Sequence, residues 1–133
     1  LKELNPRIDL ALARLAEQAA TDAAWLRQET DSLLARTTQS RDEQEWTLRA
    51  APLSDGPAAL LGRAVIAAWA WSAAPGSAPP GAAWIEGVVE FLRGGRGGRL
   101  AAPGGGEIRR RGPLVIVRRE ENSRIEDGEE HSA

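Results

Sequence analysis

The side chains best placed to do chemistry in this 133-residue chain are arginines. Residues 93–119 hold Arg93, Arg96, Arg99, Arg109, Arg110, Arg111, Arg118 and Arg119 against Glu107 alone, a local net of +7. A guanidinium presents planar, paired donors that match phosphate, so such a concentration points to a polyanionic partner. Residues 120–133 reverse the sign, with Glu120, Glu121, Glu126, Asp127, Glu129 and Glu130 against Arg124, a net of -5. An acidic tail of this kind can solvate or shield a basic patch. The overall charge of -2 conceals this asymmetry. Sixteen of the seventeen basic residues are Arg, which a GC-rich coding sequence also produces.

Other chemistries find no support. There is no Cys, hence no disulfide framework and no thiolate metal site. The one His, His131, lies in the acidic tail without a partner, and no Ser stands beside a usable base. The paired carboxylates fall on solvent faces or in the tail and form no acid–base constellation. We therefore expect no catalytic residue, no metal ligand and no cofactor site in this chain, which by itself does not read as an enzyme. No apolar run approaches a membrane span, and no secretory leader is evident. The chain contains no Met and opens mid-pattern at Leu1, so it reads as a piece of a longer, cytoplasmic protein.

The elements that must position the arginines follow from periodicity. Asn5-Pro6 is a helix start, and Ile8, Leu12, Leu15, Ala19, Asp22/Ala23, Leu26, Thr30 and Leu33 recur at intervals of three and four, with a weak point near Thr30. This predicts a helix from about Pro6 to Arg36, roughly 45 Å long. Thr37–Glu45 reads as a polar loop, followed by a short extended piece with Trp46 and Leu48 on one side. Ser54-Asp55-Gly56-Pro57 should cap and open a second helix, about 57–73, with Leu61, Val65, Ala68, Trp69 and Ser72 as its stripe. After the Pro/Gly/Ser linker 74–81 a third helix, 82–93, carries Trp84, Val88 and Phe91/Leu92. Beyond it the period becomes extended, giving three short strands between 99 and 118 with turns at Pro103-Gly104 and Gly112-Pro113. The predicted fold is mainly α, a long N-terminal helix plus two shorter ones, with a small C-terminal three-stranded β meander. Residues 1–118 form the domain, and 119–133 a disordered tail. Because 24 residues are Ala, the core should be thin.

Within this frame "GGRGG" (94–98) reads either as an RGG-like RNA contact or as a flexible helix-to-strand connector. A phosphate loop would need a strand before it, a helix after it and a Lys-Ser/Thr pair, all missing here. In Arg109-Arg110-Arg111 the strand period places Arg109 and Arg111 on one face and Arg110 on the other. The pair is either a solvated strand edge or a contact for a phosphate backbone. Trp69 and Trp84 fall on helical stripes and read as core, Trp25 lies one position off the first stripe, and Trp46 is undetermined.

Three stretches, in order, resemble the region that follows the catalytic domain of bacterial tRNA(Ile)-lysidine synthetases. "LKELNPRIDLALARLAEQAATDAAWL" is similar to that family's long helix. "LSDGPAALLGRAVIAAWAW" resembles its next helix, with Arg63 and Trp69 at the family's Arg and Trp. "GRLAAPGGGEIRRRGPLVIVRR" resembles its terminal hairpin, although Ala102 stands where a Leu precedes Pro-Gly-Gly. The likeness spans about residues 1–118, and the family's nucleotide-binding Ser-Gly-Gly-x-Asp-Ser loop is not in it. The resemblance implies a tRNA-binding, substrate-specificity region of a ligase. The parent enzyme uses ATP and Mg to activate the wobble cytidine of a CAU-anticodon tRNA(Ile), which lysine then attacks. The implied partners are tRNA(Ile), the parent's own catalytic domain and a second copy in a homodimer. The tRNA-binding residues would be Arg96, Arg99, Arg109, Arg111 and Arg63. The alternative is a helical protein-interaction or dimerisation module without a nucleic-acid role, since a long Leu/Ala stripe also suits helix pairing.

One expectation concerns the tail. Ile125 is the single large aliphatic residue among many charges, too little apolar surface to offset the entropy of ordering. Deletion from Glu121 onward should leave the Tm in a thermal melt within error, and a drop of several degrees would show that the tail packs.

Overall fold

The computed structural model describes residues 5–120. In chain order the elements are α1 (Pro6–Thr37), β1 (Thr38–Arg41), β2 (Glu45–Arg49), α2 (Ala50–Ser54), α3 (Ala58–Ser72), α4 (Ala82–Arg93), β3 (Gly98–Ala101), β4 (Glu107–Arg111) and β5 (Leu114–Arg118). The five strands form one antiparallel sheet in the order β1-β2-β5-β4-β3. The expected C-terminal meander is present as β3-β4-β5, but it is only part of the sheet. The segment read as a polar loop supplies β1, the extended piece at Trp46 becomes β2, and β2 pairs with β5. The helical majority and the long first helix stand, and the correction is to the strands: the described residues hold four helices packed on a five-stranded sheet in place of three helices and a three-stranded meander.

The long helix forms as its sequence requires. Asn5 Oδ1 accepts the amides of Arg7 at 2.9 Å and Ile8 at 3.4 Å, and Pro6 occupies the first helical position, where no amide is needed. At the other end two β-branched residues switch the chain from helix to strand. Thr37 Oγ1 donates to Leu33 O at 2.9 Å and Thr38 Oγ1 to Leu34 O at 2.6 Å. Trp46 Nε1 donates back to Thr38 Oγ1 at 2.9 Å, so the helix end is tied to β2 as β1 begins. Asp42 pins the β1–β2 turn by accepting the amides of Gln44 and Glu45. The Glu45 and then the Gln44 amide hold its carboxyl below the usual range. Because the folded value lies below the unfolded one, this contribution is present above the unfolded pKa and fades as pH falls through the folded pKa.

Burial alternates along the strands. Trp46, Leu48, Ile108, Val115 and Val117 face inward, and their neighbours in sequence face outward. The inward set joins Leu33 and Leu34 of α1, Leu53 of α2, Leu61 and Val65 of α3, and Val88 and Leu92 of α4 in one core. The predicted stripe of the second helix, Leu61, Val65, Ala68, Trp69 and Ser72, is buried throughout, as are Val88 and Leu92 on α4. Trp46 and Trp69 are core residues, and Trp84 is half-buried with Nε1 donating to Ala101 O at 3.2 Å.

Three further expectations change. Ser54 and Asp55 do not cap α3: they end α2, and Ser54 Oγ donates to Leu92 O at 3.0 Å, across to α4. The stripe of α1 is covered only in its last third. Residues 6–22 are all exposed, and Ile8, Leu12 and Leu15 are 56%, 58% and 65% exposed. Arg119 and Glu120, which the sequence placed in the tail, are held by backbone bonds: the Arg119 amide donates to Gln44 O at 2.9 Å and the Glu120 amide to Ser72 O at 2.8 Å. The rest of the predicted tail, 121–133, lies outside the described residues.

These burials predict a contrast between two leucines. Leu48 is 2% exposed at the centre of the sheet and Leu12 is 58% exposed. Leu48→Ala should cost about 2–5 kcal/mol in denaturant unfolding, whereas Leu12→Ala in the monomer should stay within about 0.5 kcal/mol.

Candidate nucleic-acid interface

The glycine-rich opening of the basic stretch serves the fold. The turn between β3 and β4 lies against the C-terminal end of α3, with Trp69 Nε1 donating to Pro103 O at 2.7 Å and the Ala74 amide to Gly104 O at 3.2 Å. Gly104 has φ 88°, and a Cβ there would meet Ala73 Cβ at 2.9 Å. A Cβ on Gly106 would stand 2.6 Å from Ser72 Oγ. Glycine is required at both by close approach. "GGRGG" is a connector running from the carboxyl end of α4 into β3. That end of a helix presents carbonyls, so it repels rather than cradles phosphate.

Five of the arginines lie on the outer face of the sheet. Register places Arg99 on β3 opposite Arg109 on β4, which is followed across the sheet by Ile116 and Thr47. A second cross-strand row reads Arg111, Leu114 and Arg49, and a third Ala101, Glu107, Arg118 and Glu45. The face therefore holds Arg49, Arg99, Arg109, Arg111 and Arg118 against Glu45 and Glu107. Arg118 is matched to Glu45, with Nε at 3.1 Å and an NH2 nitrogen at 2.6 Å from one carboxylate oxygen. Arg99 and Arg109 share Glu107, at 3.6 Å and 3.3 Å. Arg111 makes no hydrogen bond or ion pair among the described residues, and Arg49 donates to Arg36 O.

Like charges directly across a ladder destabilise it, and one shared carboxylate offsets only part of that repulsion. Exposed ion pairs are worth about 0–1 kcal/mol, so a phosphate can compete for Arg99 and Arg109 at little cost. Leu114 and Ile116, both half-buried, separate the charges with an apolar strip.

Of the five residues singled out from sequence, the structure groups Arg99, Arg109 and Arg111. Arg96 is exposed in the connector leading into β3. Arg63 is not part of this face: it lies on α3, in the helical layer, beside Arg27 and Asp31 of α1. Arg110 points to the helical side, as the alternation required, and an NH1 nitrogen donates to Leu92 O at 2.7 Å, where α4 ends. It is a helix anchor. Arg49 was missed, because its membership depends on β2 pairing with β5. Its signal was the alternation Glu45/Thr47/Arg49 against Trp46/Leu48.

Compared with protein-family models and with curated proteins, the chain matches none of them. Among the described residues no helix is long and apolar enough to cross a membrane.

The two roles within the arginine triplet separate by stability. Arg110→Gln, which removes a charge-assisted bond to a helix-end carbonyl, should cost about 1.5 kcal/mol in urea unfolding. Arg111→Gln should cost less than about 0.5 kcal/mol. Equal losses would mean that Arg110 does not anchor α4.

Proposed function

We propose that the chain is a tRNA-gripping accessory region of the kind that follows the catalytic domain in tRNA(Ile)-lysidine synthetases, acting in the cytoplasm. The observation that carries this reading is the outer sheet face. Its unmatched Arg111 and under-neutralised Arg99 and Arg109 stand in register with Arg49 beside them. The order of long helix, Arg/Trp helix and basic hairpin supports the family likeness. Phosphates of tRNA(Ile) lie across the face, with Arg96 reaching from the connector. Such contacts position the RNA and carry no sequence information of their own.

Lysidine formation itself is assigned to the parent's catalytic domain. The residues here do not fit ATP, because both glycine-rich loops that lie near a helix, 94–98 after α4 and 103–106 against α3, sit at carboxyl ends and contain neither Ser nor Asp. The uncovered half of α1, with Ile8, Leu12 and Leu15 exposed, supports mounting on that catalytic domain. The same stripe favours a second reading, a helical dimerisation or interaction module in which the arginines are only a solvated face.

Salt separates the two. Each phosphate contact releases counterions and contributes about -0.7 to -0.9 to the slope of log K against log salt. Changing Arg96, Arg99, Arg109 and Arg111 together to Gln should flatten the slope for a tRNA(Ile) transcript by roughly two to four units. Affinity should fall alike for other tRNAs. An unchanged slope in filter binding would leave the arginines a solvated strand edge and favour the interaction-module reading.

A further inference from the structure

The helical layer carries a groove that the sheet face does not use. It runs between the C-terminal half of α1, α3 and the β1–β2 hairpin. Its main basin, about 730 Å³, is bordered by Asp31, Arg41, Trp46, Ala67 and Trp71. A second basin of about 210 Å³ shares Asp31 and Ala67 and adds Arg27 and Arg63. The main basin has the size of small-molecule sites, roughly 300–1,000 Å³.

Its chemistry is mixed in a specific way. Trp46 and Trp71 meet edge to face, with centroids 5.7 Å apart at 66°. Arg41 lies 4.9 Å over the Trp46 ring, and Arg119 lies 4.3 Å over Trp71. Asp31, Arg27 and Arg63 are exposed and make no hydrogen bond or ion pair among the described residues. The groove thus offers the half-buried Trp71 ring, backed by the buried Trp46, a carboxylate that can only accept, and the cations Arg27 and Arg63 in the second basin. A complementary ligand is a flat ring bearing two adjacent N–H donors, with an anionic group a few ångströms away.

We propose that this groove binds a guanine nucleotide. Guanine alone among the common bases presents two neighbouring donors, N1–H and N2–H, that one carboxylate can accept together. Asp31 accepts that pair, the ring packs against Trp71 and Ala67, and Arg27 with Arg63 takes the phosphate. Adenine turns an unprotonated N1 toward the carboxylate and is disfavoured. Arg63, which stands apart from the sheet arginines, has its role here. The proposal does not depend on the reading of the sheet face, since the groove lies in the other layer and its probe is a single nucleotide.

Tryptophan fluorescence of the whole chain, titrated with GMP and AMP, tests it. GMP should bind at least about tenfold more tightly than AMP, the discrimination expected of a paired hydrogen bond to a base. Asp31→Asn, at an exposed residue and checked by circular dichroism for an unchanged fold, should abolish that preference. Arg63→Gln should remove the advantage of GMP over guanosine. Titration with the oligoribonucleotides UUGUU and UUAUU identifies the source. Tighter binding of UUGUU than of GMP assigns the site to an unpaired guanosine in RNA, and no gain assigns it to the free nucleotide. Equal responses to GMP and AMP, no response to either, or a preference that survives in Asp31→Asn would overturn the proposal.

Discussion

Glu45–Arg49 and Leu114–Arg118, far apart in the chain, pair antiparallel, and the rest of the structure hangs on that ladder. Without it the β1–β2 hairpin would be an isolated pair of strands, marginal in water, and the C-terminal meander would have nothing to complete its inner face. With it, Trp46 stands beside Val117 and Leu48 beside Val115, giving one apolar surface broad enough to receive the end of α1 together with α3 and α4. Register is fixed by the same contact. A slip of one residue would turn Val115 and Val117 outward and bring Leu114, Ile116 and Arg118 against the helices. The constraint that buries the valines is therefore the one that presents Arg99, Arg109 and Arg111 together on the outer face.

Charge on that face is managed unevenly. Arg118 is matched to Glu45 across the central ladder, where the sheet must hold, while Glu107 is divided between Arg99 and Arg109 near the β3 edge. Arg110 is spent on the end of α4, and Arg119 is drawn into the Trp71 carbonyl and ring. The fold consumes some of the arginines and leaves others available, and which ones is decided by strand parity.

What could be read from sequence follows the range of the forces. The three main helices were legible almost to the residue, because their stripes and stops are local: Asn5-Pro6 begins α1 and the glycines after Arg93 end α4. The meander was legible for the same reason, and its period of two separated Arg110 from Arg109 and Arg111. The polar sequence Thr38–Arg41 carries no alternation, so β1 could be recognised only through its partner β2. Arg49 joined the outer-face arginines by a pairing about seventy residues long, invisible to any local pattern. Periodicity in α1 reported that one face is apolar without reporting what covers it, and Ile8, Leu12 and Leu15 are left outside. Arg63 was singled out by family likeness alone, and geometry sets it apart from the sheet arginines.

The central claim is that RNA lies on the outer sheet face. Backbone amide shifts of the chain on titration with a tRNA(Ile) transcript test it most directly. The account predicts a contiguous set of perturbed amides at Arg99, Arg109, Arg111, Ile116 and Arg49, with little change along residues 8–22 of α1. Shifts confined to α1, or none on β3, β4 and β5 at low salt, would contradict it.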